Sequence, residues 1–532
     1  MTNSIHDIVD ADVLLVTGSN TTESHPVISL QMKRAVRKHG ARLILVDPRA
    51  IELADFAAMH LRQKPGSDVA IFNAMAHVII AEGLLDREFV TARTEGFEDY
   101  ARAMEAWTPQ RAEQISKVPA AQIVAAARLY AGAHNAAIFW AMGITQHTHG
   151  TDNVKVLSNL ALLTGNVGRA GTGLNPLRGQ NNVQGACDMG GLPNVFPGYQ
   201  PVSSHEIREK FARGWDVPVK RLNPTPGLTV TEMMNAVHDG KIRAIFVVGE
   251  NPMLSDPDLN HVAMALEAVD FLAVQDIFLN ETGQMADVVL PAVSFAEKDG
   301  TFTNTERRVQ LIRPVLEPRG RARRDWEITA ELASRLGASW HYNSSSDIFD
   351  EMARLTPQYA GISHARLEEG GLQWPCPSPG HPGTPYLHAG KFTRGKGLFA
   401  VAGYRPPAEE TSPDYPLTLS TGRILYHWHG GTLSRRSPGL DAIAPEAEVE
   451  INPEDAHSYG IGGGDCVRVS SRRGEVVATA KVTRRSPPGT VYMTFHFAEA
   501  AANLLTIGAV DPVAKIPEYK VCAVRLRPLN GR

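Results

Sequence analysis

Short apolar runs that end in polar turns alternate with amphipathic segments in the first part of the chain. Residues 12–18 (DVLLVTG) and 41–49 (ARLILVDPR) are apolar runs of the length typical of buried parallel strands. The segment between them has helical spacing and ends at Gly40. After PGSD, Ser67 is a candidate N-cap of a further helix. This alternation predicts an α/β domain with a parallel sheet.

The same pattern continues twice more along the chain. Residues 136–146 (AAIFWAMGITQ) predict a strand that runs into a glycine turn at Gly143, and NVKVLSNLALLTGNVG predicts a buried helix. A second strand–turn series follows in RAIFVVGENP, FLAVQDIF and ADVVLPAV. The fold class predicted is therefore α/β, with doubly wound Rossmann-like domains.

The two series resemble each other. LLVTGSN is matched by IFVVGEN, and Gly18 precedes Asp47 by 29 residues where Gly249 precedes Asp276 by 27. Each aspartate is followed by an Ala-Asp pair, at positions 54–55 and 286–287. We interpret this as a pseudo-repeat of a nucleotide-binding unit, although glycine-punctuated turns in a generic α/β fold remain an alternative. Neither half contains the GxGxxG fingerprint of NAD-binding domains.

From about residue 412 the segments shorten and β-branched residues increase. YPLTLSTGR, DCVRVSSRRGEVVATAKVT and GTVYMTF predict strands, with a hairpin at Arg473-Gly474 and a short helix capped by Asn452. These features predict a C-terminal β-barrel. The domain boundaries predicted are 1–175 and 176–340 for the two α/β domains, 341–411 for a connection, and 412–532 for the barrel domain.

Residues 175–199 form a neutral, amide-rich loop. The segment NPLRGQNNVQGACDMGGLPNVFPGY holds six Asn or Gln, five Gly and only two charges, those of Arg178 and Asp188. Such a loop suits close approach to a polar ligand, and the guanidinium fork of Arg178 fits a carboxylate or phosphate. We expect Asp188 to fix backbone amides of the loop. An ordered surface loop without a ligand is the alternative.

Composition narrows the function classes. The 532 residues carry a net charge of −4, and no apolar run approaches membrane-spanning length, so we expect neither nucleic-acid binding nor a membrane span. The four cysteines form no CxxC pair, which argues against a sequence-local zinc or iron–sulfur site and favours a reduced, cytoplasmic setting. We expect Cys376, Cys466 and Cys522 to be small buried hydrophobes. His147 and His149 alone make a weak metal site, so no metal ligand is predicted in this chain.

These motifs together resemble one family. RGQNNVQGACDMG, LTGNVG, PGSD, TEGFEDY, VGENP, VQDIF, STGR and PEYKVCAVR are similar to the catalytic subunit of the molybdenum- or tungsten-dependent formate dehydrogenases, in the DMSO reductase superfamily. The resemblance implies a double-psi type C-terminal barrel and two molybdopterin guanine dinucleotides holding one Mo or W. It also implies formate oxidation to CO2, with Arg178 as the substrate-binding catalytic residue. The expected cofactor-binding positions are Gly18, Ser19, Asn20, Asp47, Pro48, Arg49, Gly66, Asp68, Gly143, Gly179, Gln180, Gly249, Glu250, Asn251, Gln275, Asp276, Ser420, Thr421, Arg423, His427, Glu518, Tyr519 and Lys520.

The chain also departs from the family pattern. The family polypeptide begins well upstream of Met1, with a cysteine-rich iron–sulfur segment, the cysteine or selenocysteine that ligates the metal, and a neighbouring histidine. We therefore expect an N-terminally truncated chain without iron–sulfur ligands, with exposed apolar surface. Half of a split enzyme and a non-catalytic molybdopterin-binding fragment are the alternatives. The resemblance further implies separate iron–sulfur or NAD/flavin electron-transfer subunits.

Overall fold

The structure is a computed structural model that describes residues 1–529. The chain divides into two compact units. The first unit comprises Met1–Leu177, Leu254–Val262 and the chain from Tyr386 onward, and the second comprises Arg178–Met253 and Ala263–Pro385. The four-domain boundaries predicted from the sequence remain a prediction, and their last three residues lie outside the described part.

The strands are β1 (Val13–Thr17), β2 (Arg42–Val46), β3 (Met59–Leu61), β4 (Thr94–Glu95), β5 (Ala136–Trp140), β6 (Gly173–Pro176), β7 (Val195–Phe196), β8 (Gln200–Pro201), β9 (Ala244–Val248), β10 (Phe271–Asp276), β11 (Val288–Pro291), β12 (Gly300–Thr303), β13 (Arg308–Ile312), β14 (Leu372–Gln373), β15 (Gly397–Leu398), β16 (Leu417–Gly422), β17 (Glu448–Ile451), β18 (Cys466–Ser470), β19 (Glu475–Val482), β20 (Thr490–Thr494) and β21 (Cys522–Pro528).

The α-helices are α1 (Thr21–Ser24), α2 (Pro26–His39), α3 (Asp68–Ala81), α4 (Arg87–Arg93), α5 (Phe97–Met104), α6 (Pro109–Ser116), α7 (Ala120–Ala131), α8 (Met142–Thr145), α9 (Gly150–Leu163), α10 (Val183–Asp188), α11 (His205–Gly214), α12 (Val230–His238), α13 (Pro252–Ser255), α14 (Leu259–Ala268), α15 (Glu281–Met285), α16 (Asp325–Arg335), α17 (Ser345–Leu355), α18 (His364–Leu367), α19 (Pro438–Ile443) and α20 (Pro453–Ser458). Short 3₁₀ helices include Glu52–Phe56 and Pro357–Tyr359.

A five-stranded parallel sheet organises the first unit. Its order is β3-β2-β1-β5-β6, so the strand order reverses between β1 and β5. Alternate residues of β1 pack into two different cores: Val13 and Leu15 lie with helices α3, α7 and α9, while Leu14 and Val16 lie with α2. Helices therefore cover both faces, and the predicted doubly wound α/β fold is confirmed.

The helix ends predicted at Gly40, Ser67 and Asn452 are present in the structure. Gly40 ends α2 in a left-handed conformation, with φ of +77°, and its N–H donates to the Ala35 carbonyl. Ser67 occupies the N-cap position of α3, but its hydroxyl donates to the Lys64 carbonyl instead of accepting from the helix. Asn452 caps α20 through a 3.0 Å hydrogen bond from the Glu454 N–H.

The C-terminal part of the first unit contains the predicted barrel. Six strands close in the order β16-β20-β17-β19-β18-β21 around an apolar core. The predicted hairpin joins β18 to β19, where the Ser471 N–H donates to the Gly474 carbonyl at 2.9 Å. Of the three cysteines expected to be buried, Cys376 and Cys522 are, whereas Cys466 is exposed because it begins β18 at the barrel surface.

The second unit contains a three-stranded parallel sheet, β11-β10-β9, and an antiparallel sheet, β12-β13-β14. Apolar side chains are exposed on β9 and β11: Phe246 is 40% and Val248 48% exposed, and Val288 and Val289 are similarly accessible. Within residues 1–529, no helix is long and apolar enough to cross a membrane.

The two parallel sheets share the local geometry that the pseudo-repeat predicts. β1, β2 and β3 are adjacent and parallel, as are β9, β10 and β11. The Gly18 N–H donates to the Val46 carbonyl at 3.2 Å, and the Gly249 N–H donates to the Gln275 carbonyl at 2.9 Å. Both glycines have positive φ, +54° and +61°. The matched halves are therefore a structural feature as well as a sequence pattern.

One predicted equivalence in the repeat is wrong. Asp287 lies directly before β11, where its carboxylate accepts from the Leu272 N–H at 2.8 Å. Asp55 lies instead within the 3₁₀ helix Glu52–Phe56, and it is Ala58 that precedes β3 and donates to the Leu43 carbonyl. The inserted 3₁₀ helix shifts the first Ala-Asp pair away from the strand.

Candidate cofactor-binding and active site

Two glycine turns meet at the point where the strand order of the first unit reverses. The Gly143 N–H donates to the Gly18 carbonyl at 3.0 Å, directly after β5 and β1. A Cβ on Gly18 would lie 2.7 Å from the Gly143 carbonyl carbon, and one on Gly143 would lie 2.6 Å from the Gly18 Cα. Each turn therefore requires glycine, and the edge they form is where doubly wound sheets bind ligands.

Asn20 presents unpartnered polar atoms at this edge. Its side-chain nitrogen and oxygen are both buried without a hydrogen-bond partner in the described residues, whereas the neighbouring Ser19 hydroxyl lies 3.0 Å from that of Thr21. Buried amides normally have partners, so such an amide fits a ligand that supplies both a donor and an acceptor.

The turn after β2 is used differently. The Asp47 carboxylate is buried and accepts from the Arg49 N–H at 2.9 Å, and desolvation raises its pKa to about 6. The Arg49 guanidinium donates to Glu450 at 2.8 Å and lies 3.3 Å over the Tyr492 ring. The Arg49 guanidinium is therefore engaged by residues of the barrel. The Pro48 carbonyl accepts a hydrogen bond from Arg62 Nε.

The PGSD turn brings Gly66 and Asp68 to the start of α3. Gly66 has φ of +82°, and an added Cβ would lie 2.8 Å from the Pro407 side chain. Asp68 is 2% exposed and accepts from Gln63 Nε2 at 3.0 Å. Burial raises the pKa of Asp68.

Two desolvated cations come from the barrel. Burial lowers the pKa of Arg423. Burial, together with the nearby positive charge of Arg423, lowers the pKa of Lys520 to about 7. Lys520 Nζ donates to the Thr421 carbonyl at 2.7 Å, and the Arg423 guanidinium lies over the Trp428 and Phe495 rings. Within residues 1–529, neither cation has a carboxylate within 4.0 Å. Uncompensated cations of this kind fit an anionic ligand.

Other predicted barrel residues are engaged inside the protein. Both ring nitrogens of His427 have internal neighbours, Ser434 Oγ at 3.2 Å and the Ala444 carbonyl at 2.7 Å, so we do not include His427 among the proposed ligands. The Tyr519 carbonyl accepts from Thr421 Oγ1 at 2.8 Å. Ser420 lies next to Thr421 in β16.

A buried histidine–glutamate pair was missed by the sequence analysis. His147 and His149 are 2% and 1% exposed and stack with ring centroids 5.4 Å apart. His147 Nε2 lies 2.9 Å from the Gly143 carbonyl, and Nδ1 lies 3.4 Å from the Glu518 carboxylate. The pair fixes the Gly143 turn, and no local sequence signal connects its two members.

In the second unit, the predicted strand-end residues also lie together. Asn251 donates to Glu281 at 2.7 Å and accepts from the Thr282 hydroxyl at 2.7 Å. Asp276 accepts from two following backbone N–H groups and from Asn280 Nδ2 at 2.9 Å, and burial raises its pKa. Gly249 and Glu250 are exposed, and Gln275 Oε1 is buried without a partner among the described residues.

The segment 175–199, here called the Arg178 loop, lies in the second unit from Arg178 onward. The Arg178 N–H donates to Thr305 Oγ1 at 3.2 Å, and its Nη1 lies 3.5 Å from Cys187 Sγ. Gly179 and Gln180 follow, and the Gln180 carbonyl accepts from the Val183 N–H that starts α10. Cys187 is thus more than a packing residue, because its sulfur contacts the arginine.

The expected role of Asp188 was wrong. Among residues 1–529, its carboxylate accepts four side-chain hydrogen bonds, from Gln184, Tyr199, Tyr359 and Trp374, and none from a backbone amide. Burial raises the pKa of Asp188, and the four hydrogen bonds oppose that rise. Two of the donors lie far along the chain, which is why the loop sequence could not reveal them.

Comparisons with known proteins agree with this geometry. Residues 1–335 match the family described as "Molybdopterin oxidoreductase", and residues 417–523, which span most of the barrel, match the "Molydopterin dinucleotide binding domain". The chain therefore belongs to the molybdopterin oxidoreductases, within the DMSO reductase superfamily, whose domains bind a molybdopterin dinucleotide with Mo or W.

Within that class, the chain belongs with the formate dehydrogenase alpha subunits. It is 49% identical to "F420-dependent formate dehydrogenase 1 subunit alpha" of Methanococcus maripaludis over 534 residues, which cover 99% of this chain and 78% of the relative. It is 41% identical to "Formate dehydrogenase H" of Escherichia coli, covering 99% of this chain and 74% of that protein.

A solved structure confirms the fold. Acetylene hydratase from Pelobacter acetylenicus superposes with a TM-score of 0.78, over 99% of this chain and 78% of that protein, at 20% identity. At this identity the likeness concerns the architecture alone.

Proposed function

We propose that this chain is the catalytic subunit of a formate dehydrogenase, which oxidises formate to CO2 at a Mo or W centre held by two molybdopterin guanine dinucleotides. The observation that carries the proposal is the Arg178 loop, a neutral segment with one guanidinium, in a chain about half identical to formate dehydrogenase alpha subunits. Formate is a small planar anion, and a guanidinium fork binds and orients such a carboxylate through two parallel hydrogen bonds.

The first unit fits one dinucleotide. The glycine pair Gly18 and Gly143 allows close backbone approach, the Asn20 amide offers a donor and an acceptor, and Arg423 and Lys520 supply positive charge for phosphate. Gly66 and Asp68 belong to the same proposed site, where the Asp68 carboxylate accepts from a guanine edge.

The matched strand ends of the second unit are the proposed site of the second dinucleotide. Gly249, with its positive φ, and the partnerless Gln275 oxygen are the features that support it. When bound, the metal group supplies two-electron redox chemistry, and the chain's own contribution is to bind and aim formate through Arg178. We propose that electrons leave through separate iron–sulfur or NAD/flavin subunits.

Cofactor content and turnover test the proposal together. Purified protein should contain Mo or W with two guanine nucleotides per metal, and should reduce a viologen dye with formate. Arg178→Lys should keep the cofactor but raise the KM for formate by about 10-fold or more, because a point charge cannot replace the fork. Unchanged kinetics would contradict the role of Arg178, and bound cofactor without formate oxidation would favour a non-catalytic binding protein.

A further inference from the structure

The buried carboxylate of Asp188 gathers an unusual number of neutral donors. Asp188 is 1% exposed, and it accepts from Gln184 Nε2 at 2.8 Å, Tyr199 Oη at 2.9 Å, Trp374 Nε1 at 2.8 Å and the Tyr359 hydroxyl. A buried carboxylate is stable only when hydrogen bonds replace its water, and losing one such bond leaves a costly unsatisfied group.

These donors tie different parts of the second unit to one point. Gln184 lies on α10, Tyr199 ends the loop that starts near Arg178, and Tyr359 and Trp374 come from outside it. The Asp188 carbonyl also accepts from the Gly198 N–H at 2.7 Å. The two ends of the segment 184–199 are therefore held together, and both are held to the unit's body.

The same network reaches the guanidinium of Arg178 through one residue. Cys187 directly precedes Asp188 at the end of α10, and its Sγ lies 3.5 Å from Arg178 Nη1. Burial and the Asp188 carboxylate raise the pKa of the Tyr199 phenol, and the nearby charge of Arg178 opposes that rise. A shift of Asp188 moves Cys187 and the surface on which the guanidinium rests.

We propose that Asp188 is a positioning residue for Arg178, with Tyr199 as the donor that couples it to the substrate-binding face. The proposal rests on the proposed function, because it takes Arg178 to be the residue that binds the formate carboxylate. Asp188 acts through α10 and Cys187, not by touching the substrate.

Two variants and one matched control test the proposal in the cofactor-loaded enzyme. Asp188→Asn places an amide N–H against neighbouring donors, and Tyr199→Phe removes a single hydroxyl. Tyr342→Phe is the control, because Tyr342 also donates to a carboxylate of this unit, Glu351 at 3.0 Å, away from the loop. Rates are normalised to bound metal, and melting temperature is recorded for each protein.

The expected result is a change in substrate binding. Asp188→Asn should lower kcat/KM for formate by about 10- to 100-fold, mostly through KM, and Tyr199→Phe by about 3- to 10-fold, as a small misplacement of an anchoring group does. The inhibition constant of azide, an anion of formate's size, should rise in parallel. Tyr342→Phe should leave KM within about 2-fold of wild type, since it lies outside the network.

Each alternative outcome is decisive. If Asp188→Asn does not fold, Tyr199→Phe alone decides. A lower melting temperature with unchanged KM and azide inhibition in Tyr199→Phe overturns the positioning role while leaving the formate dehydrogenase proposal intact. Wild-type enzyme that binds cofactor but does not oxidise formate overturns both.

Discussion

Replacing Gly18 by alanine should be far more damaging than replacing glycines of similar backbone conformation elsewhere. The new Cβ would lie 2.7 Å from both the Gly143 carbonyl carbon and the Ile144 nitrogen. Ordinary contacts between such atoms need about 3.5–4.0 Å, and the neighbours are backbone atoms that no rotamer change can move. The turns after β1 and β5 must therefore separate, and the 3.0 Å hydrogen bond from Gly143 to Gly18 is lost.

The cost can be estimated from three contributions. An L-residue at φ of +54° costs about 1–2 kcal/mol, overpacking of a tight contact about 1–3 kcal/mol, and the lost hydrogen bond about 1 kcal/mol. The sum, about 3–6 kcal/mol, is a large part of the stability of a typical domain. Gly40→Ala and Gly83→Ala are matched controls, because their φ values are +77° and +68° but no described atom lies within 4 Å of the new Cβ. Each should cost only about 1–2 kcal/mol.

Chemical unfolding and cofactor analysis check this prediction. The first unfolding midpoint in guanidinium chloride should fall clearly more for Gly18→Ala than for either control, and its guanine nucleotide content should fall as well. A Gly18→Ala protein with the midpoint and nucleotide content of Gly40→Ala would refute the close-approach argument. It would show that the turn at Gly18 tolerates a side chain and that its close contact with the Gly143 turn is not required for binding of the dinucleotide.

Two further predictions concern charges in the first unit. The pKa of Asp47 is about 6 in the folded state, above its unfolded value near 4, so the stability that protonated Asp47 contributes is complete below pH 4 and is lost as pH rises through 6. In cofactor-free protein, the unfolding free energy of Asp47→Asn should therefore gain about 3 kcal/mol on that of wild type between pH 4 and pH 6. A difference between the two proteins that does not depend on pH would contradict this. Arg49→Met should cost about 3 kcal/mol, because within the described residues it leaves the buried Glu450 carboxylate with Arg485, at 3.4 Å, as its one ion-pair partner. The double variant Arg49→Met/Glu450→Gln should recover most of the loss, and additive losses in thermal unfolding would rule out the pairing.

The features that the sequence predicted correctly depend on few neighbouring residues. Gly40 ends a helix because its own φ is positive, and Asn452 caps a helix through an N–H two residues away. The parallel strands were predictable because a short, continuous apolar run is typical of a strand that is buried on both faces of a parallel sheet, as β1 and β5 are. In each case the cause of the structure is visible within one segment.

The features that were missed depend on contacts between distant segments. Gly18 and Gly143 each look like an ordinary turn glycine, and only their contact shows that neither can be replaced. The Glu518 carboxylate that reaches His147 belongs to the C-terminal part of the chain. Cys466 was predicted buried from its residue type alone, which cannot report its place at a strand end.

The composition of the Arg178 loop follows from the chemistry it supports. If Asp188 formed an ion pair with Arg178, the guanidinium would be partly neutralised and would bind a formate carboxylate more weakly. The four side-chain donors to Asp188 are neutral groups, and none of the four is the Arg178 guanidinium. The Cys187 thiol, a weak acceptor, contacts Arg178 Nη1. Within residues 175–199, Gln184 and Tyr199 supply two of these neutral donors, in agreement with a segment that is rich in amides and almost free of charge.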